Sequence, residues 1–206
     1  TAGDDLSGEA AKERKSRLGL FATVVALGQP MIYMGQEFGV ERPRNRIDLN
    51  WNKLAKKNHY FEWARRLISL RRRYPGLRIY GYNPAEEGKF SWLIGPWFEE
   101  ARGGGRRVIG WATRPGDAPW EEMVVLLNFE PFAVTVNLEF PRPGIWVRLA
   151  DIDCVNDLPP EGDNSVHHPG AVAAWPEAGD FTLPSSSGFI FKWESPLETR
   201  MANVPG

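Results

Sequence analysis

The chain has 206 residues, 42% of them hydrophobic and 25% charged, which suits a globular protein of one large domain or two small ones. Its formal net charge of −1 argues against nucleic acid or an anionic membrane as the main partner, since both demand a basic face. Cys154 is the one cysteine, which excludes a disulfide framework and a cysteine-based metal site, and no apolar run reaches the ~18 residues of a membrane helix.

The opening Thr1-Ala-Gly-Asp-Asp5 is neither a signal peptide nor an ordinary protein start. The chain is therefore expected to begin in mid-protein and to work in the cytoplasm. Residues 1–7 form a polar lead in which Asp5 or Ser7 would cap a helix. From Glu9 to Leu27 the apolar positions Leu18, Phe21, Ala22 and Val25 recur at i, i+3, i+4 and i+7. Glu13, Arg14, Lys15 and Arg17 cluster in the first half, so this helix is expected to start in solvent and finish buried, with Gly28 ending it.

Gln29-Pro-Met-Ile-Tyr-Met-Gly-Gln-Glu-Phe-Gly39 follows. A short apolar run bounded by turn residues predicts a strand buried on both faces, of the kind a parallel sheet contains. Polar residues at the carboxyl end of such a strand are where α/β barrels place chemistry, which singles out Gln36 and Glu37. Residues 40–57 read as an irregular polar loop with Arg44, Arg46 and Asp48. Asn58 is the expected N-cap of a second helix to Arg73, burying Tyr60 or Phe61, Ala64, Leu67, Ile68 and the stem of Arg71. Arg71-Arg72-Arg73 reads as a solvated helix end, and Tyr74-Pro-Gly76 stops it.

The period then changes to two. Residues 89–95, 107–113, 121–129, 132–140, 145–149 and 188–193 read as short strands separated by Pro and Gly turns, an antiparallel sandwich. Residues 151–179, acidic and rich in Pro and Gly, read as a long excursion from it. The predicted organisation is α+β: residues 1–75 as helix, strand and helix, 76–88 as linker, and 89–206 as an antiparallel β-sandwich.

One strand cannot make a barrel of ~250 residues. The order helix, strand, helix, sandwich resembles the end of glycoside hydrolase family 13, the α-amylase superfamily. There the last helix, strand and helix of a (β/α)8 barrel precede an antiparallel C-terminal domain. Residues 27–39 are similar to the family's eighth-strand signature, a Pro followed by apolar residues and Gly-x-Glu. Residues 61–74 resemble the helix that follows, Val124 to Phe129 a central strand of the C-terminal domain, and Ser187 to Phe191 its last strand. Gly-Gln-Glu-Phe38 followed by Ile47-Asp-Leu-Asn-Trp51 is similar to the glycogen-branching and debranching members.

Retaining glycosidic cleavage needs two carboxyl groups about 5–5.5 Å apart. In the family these come from the fourth and fifth strands, with a third carboxylate from the seventh. No position of this chain matches any of the three. The resemblance therefore implies an α-glucan-acting glycosidase or glucanotransferase of retaining mechanism in the parent protein. This chain would be its C-terminal part, inactive alone, with no catalytic residue, cofactor or metal of its own. The implied partners are an α-glucan or oligosaccharide, reached through the parent enzyme, and the missing barrel portion. Self-association through the exposed barrel edge is a further expectation.

Glu37 is then either a carboxylate that orients active-site groups or lines a subsite, or a rim carboxylate paired with Arg or backbone amides. Gln36, Arg44, Arg46 and Asp48 are the other substrate-shaping candidates. Nine tryptophans invite sugar stacking, with Trp97, Trp120 and Trp175 beside loops, while Trp92, Trp111, Trp146 and Trp193 read as sandwich core. The alternative function is a stand-alone carbohydrate-binding or scaffolding sandwich. His167-His168 lacks a third ligand at metal spacing. Asp151-Ile-Asp153 opens like a calcium loop, but Val155 and Asn156 break the pattern.

Overall fold

The computed structural model describes residues 8–39, 51–81, 83–95, 107–116, 121–155, 174–175 and 178–194. Three helices are present among them, α1 (Glu9–Val25), α2 (Asn52–Lys56) and α3 (Asn58–Arg73). Eight strands follow: β1 (Phe90–Ile94), β2 (Val108–Thr113), β3 (Met123–Asn128), β4 (Val134–Glu139), β5 (Ile145–Asp151), β6 (Ala174–Trp175), β7 (Ala178–Leu183) and β8 (Ser187–Glu194). They pair antiparallel into a six-stranded sheet of order β1-β2-β3-β8-β5-β6 and a two-stranded sheet β4-β7. No described helix is long and apolar enough to cross a membrane.

Burial on each strand follows its place in the layers. β4 alternates buried and exposed along Val134, Val136 and Leu138, the signature of a strand with one covered face. β3 is buried at all six positions because both of its faces are covered. Val124 and Leu126 point into a core with Val136, Leu138, Phe181 and Leu183 of the small sheet, joined by Phe140, Trp146, Phe189 and Phe191. Met123, Val125 and Leu127 point the other way, into a core with Phe21 and Val24 of α1 and Tyr60, Trp63 and Leu67 of α3. The chain is thus layered helices, large sheet, small sheet, and one core joins the helical segment to the sandwich.

Both long helices form where the apolar period places them, but their polar residues behave differently from expectation. Arg17 is buried rather than solvated. It donates to the Ile152 carbonyl and to Glu13, with its guanidinium over the rings of Tyr60 and Trp63. Arg14 reaches the Ser185 carbonyl and Asp153. The first turns of α1 stand in water at Glu9, Ala10 and Lys12, as expected, while Arg14 and Arg17 turn inward to carbonyls beside the strands.

Arg71 is likewise buried, not part of a solvated end. It donates to the carbonyls of Val24, Ala26 and Gly28, so a cation from α3 satisfies the orphan acceptors at the C-terminus of α1. Helix α1 stops at Val25, three residues before Gly28. Lys57, not Asn58, flanks α3, because α2 occupies 52–56 where an irregular loop was expected. Trp63 and Leu70 join the buried face of α3, whereas Phe61 and Ile68 are half-buried. Within the expected 151–179 excursion, Ala174–Trp175 form β6 and residues 178–179 begin β7, a strand that the sequence reading did not place. Among the core tryptophans, Trp111 and Trp146 are buried, Trp193 is half-buried and Trp92 is exposed at 37%.

The buried strand expected over residues 29–39 does not form. Residues 29–33 form no helix, strand or turn, and Met31, Tyr33 and Met34 are 84%, 55% and 50% exposed. A strand exists only through its neighbours' hydrogen bonds, and no described strand lies beside this one.

Candidate functional site

Residues 33–39 build a tight structure at the end of the 29–39 segment. Gly35 and Gly39 both lie at positive φ, 99° and 65°, and bracket a single 3-10 turn over Gln36–Phe38. The Gln36 amide donates to the Tyr33 carbonyl, and the Tyr33 amide donates to Gln36 Oε1 at 2.7 Å. The Gly35 amide donates to Glu37 Oε2, also at 2.7 Å. Side chains that a barrel would aim at substrate are used here to hold the turn together.

Phe38 anchors the turn from beneath. It is fully buried and stacks on Trp51, with ring centroids 6.1 Å apart and 26° between planes. The Tyr60 ring of α3 packs below Gly39 so closely that a Cβ there would meet it at 3.4 Å. Helix α3 thus supports the end of the turn through Tyr60. The carboxylate is half-buried and Gln36 is exposed, so both remain open to a molecule placed above the turn.

The structure brings together only these two of the candidates read from the sequence. Arg44, Arg46, Asp48, Trp97 and Trp120 lie outside the described residues, as do His167 and His168. Trp175 pairs through its backbone with Trp146 across β5 and β6, and its side chain lies outside the description. Asp151 turns on itself: its Oδ1 accepts from the amides of Asp153 and Cys154, a local turn. Among the described residues, no three His, Cys, Asp or Glu side chains are gathered as metal ligands would be.

A charged hub missed by the sequence reading lies near the start of α3. Glu13 accepts from Arg17 at 3.0 Å, Lys57 at 2.6 Å and His59 at 2.9 Å, which ties α1 to α3. Burial alone would raise its carboxyl. The hydrogen bonds from Lys57 and His59 and the charges of Lys57 and Arg17 outweigh that and hold it at about 2. Arg17 is a local i,i+4 partner, but Lys57 and His59 lie 44 and 46 positions away, so no local spacing announces the link to α3.

No protein-family model matches the chain. The chain is 29% identical over 152 residues to the 1,4-alpha-glucan branching enzyme of Burkholderia thailandensis, spanning 72% of this chain and 17% of that enzyme. Its fold is similar to that of a pullulanase from Bacillus acidopullulyticus, with TM-score 0.64 and 16% identity, covering 90% of this chain and 21% of that one. It is also similar to a type I pullulanase from Bacillus subtilis solved with maltose (TM-score 0.61, 17% identity, 92% and 24% covered). The catalytic module of the pneumococcal glycogen-degrading protein SpuA matches with TM-score 0.62 and 17% identity, over 88% and 31%. Branching enzymes and pullulanases are α-amylase-superfamily enzymes, so the resemblance read from the residues is borne out. The chain spans less than a third of each of these proteins.

Proposed function

We propose that this chain is the C-terminal part of an α-glucan-acting enzyme of the α-amylase superfamily, and that it lacks activity by itself. The observation that carries this reading is a glycine-bracketed turn bearing Glu37 at the end of an apolar segment that no described strand flanks. In this reading residues 1–75 close a catalytic barrel, 76–88 link, and 89–206 form the C-terminal sandwich. The retaining carboxylates belong to barrel strands that this chain does not supply.

Met31, Tyr33 and Met34 would then be covered by the neighbouring barrel strands. Gln36 and Glu37 would sit at the carboxyl rim, with Arg44, Arg46 and Asp48 shaping a subsite beside them. Hydrolysis, debranching, branching and transfer share this frame, because the choice among them is made by upstream loops.

The test is release of reducing ends from soluble starch and pullulan by the 206-residue chain, alone and co-expressed with the segment encoded upstream of Thr1. No release alone and restored release with that segment are expected. Activity of the chain alone that survives repurification would overturn the reading. So would a gene that encodes no barrel upstream of residue 1.

A further inference from the structure

A cavity of about 590 Å³ lies where the residues after α1, the end of α3 and the start of β1 converge. Gln29 and Pro30 of its lining open the segment that ends in the Glu37 turn. Its volume falls in the range of small-molecule pockets, about 300–1,000 Å³. Pro30, Pro75 and Pro115 line it, giving walls whose backbone is already fixed. Tyr80 stands at its edge 86% exposed, an aromatic ring outside both hydrophobic cores.

We propose that this cleft is a second α-glucan-binding site, with Tyr80 as the stacking platform and Gln29, Arg78, Lys89 and Glu121 as the hydrogen-bonding groups. The ligand class rests on the α-glucan reading above. A pyranose ring presents an apolar C–H face rimmed by hydroxyls, so it asks for an exposed flat ring beside donors and acceptors of both signs. The cleft supplies both.

An anion fits less well, although three cationic side chains line the cavity. The Arg71 guanidinium is engaged by the carbonyls of Val24, Ala26 and Gly28. Lys89 holds Glu87 at 2.6 Å, and Glu121 brings a carboxylate to the same wall. The positive charge is thus largely committed to the protein's own acceptors, while neutral hydroxyls still find the Gln29 amide and the remaining Lys89 protons.

Titration calorimetry of the 206-residue chain with maltoheptaose, paired with electrophoresis in glycogen-containing gels, tests the site. The chain is expected to bind, Tyr80→Ala to weaken binding about tenfold, and Tyr80→Phe to retain it. Arg78→Ala should weaken it severalfold, and Phe132→Ala, an exposed ring elsewhere, should leave it unchanged. Circular dichroism confirms that each variant is folded. Tyr80→Ala binding as tightly as wild type would overturn the proposal, as would binding of inorganic phosphate that excludes maltoheptaose. A folded chain that ignores maltoheptaose yet restores starch cleavage with its upstream segment would sink this site alone. Failure of both binding and restoration would remove the α-glucan reading with it.

Discussion

Glu122 sits 3% exposed between two arginines, accepting from Arg114 Nε at 2.6 Å and Arg142 Nη2 at 2.8 Å. Burial would raise its carboxyl, but the hydrogen bonds from Arg142 and Arg114 hold it below its ordinary range. Arg142 in turn lies over the Trp193 ring, so the pair fixes the turn between β4 and β5 against β8. Glu122→Gln keeps the volume and removes the charge, and is expected to cost about 1–3 kcal/mol in urea unfolding. Glu13 makes a pH-dependent claim. Its folded carboxyl, at about 2, lies below the ordinary 4.5, so its contribution is complete above about 4.5 and lost as pH falls towards 2. Thermal melts should show stability dropping across that window. Glu13→Gln should flatten the drop and lower stability at neutral pH.

At the scale of elements, α1 meets the large sheet at one close contact. A Cβ on Gly188 would lie 2.8 Å and 2.9 Å from atoms of the buried Phe21 ring and 3.0 Å from Leu127. Gly188→Ala therefore overpacks the interface and should destabilise by about 1–3 kcal/mol, measured by chemical denaturation. Phe21→Ala in the same background should cost less than it does in the wild type, because the new methyl takes up part of the space the ring vacates, so the two losses are less than additive. The helices were legible because their period is written along one element: Leu18, Phe21 and Val25 share a face whatever lies opposite. The alternation of Val134, Val136 and Leu138 was legible for the same reason. Gln29 to Gly39 was not, since its apolar run describes a strand whose hydrogen-bonding partners the described residues do not contain. Arg17 and Arg71 were misread because a charge in sequence looks solvated until a distant carbonyl, Ile152 or Val24, is known to receive it. At the candidate site, Gly-Gln-Glu marked the turn, but the sequence gives no sign that Glu37 closes on the Gly35 amide.

At the scale of the molecule, the side chains of the open segment set the expected behaviour in solution. Met31, Tyr33, Met34 and Trp51 are 84%, 55%, 50% and 63% exposed. A cluster of this kind favours association with a complementary apolar surface. The purified chain is expected to self-associate as concentration rises, and Met31→Lys with Met34→Lys to shift light scattering towards monomer. A monodisperse wild-type monomer at all concentrations would contradict this.

The position of β8 bears on the order of events during synthesis. It lies between β3 and β5, and α1 packs against it through Phe21 and Gly188. Translation delivers the two helices first and this central strand more than a hundred residues later. Until residues 187–194 leave the ribosome, β3 has an unpaired edge and β5 lacks the strand that joins it to the rest of the sheet. The sheet can therefore build β1, β2 and β3 in chain order but cannot join β5 to them before β8 arrives. Its closure waits on nearly the whole described chain, and until then a nascent-chain chaperone would find the edge of β3 still uncovered.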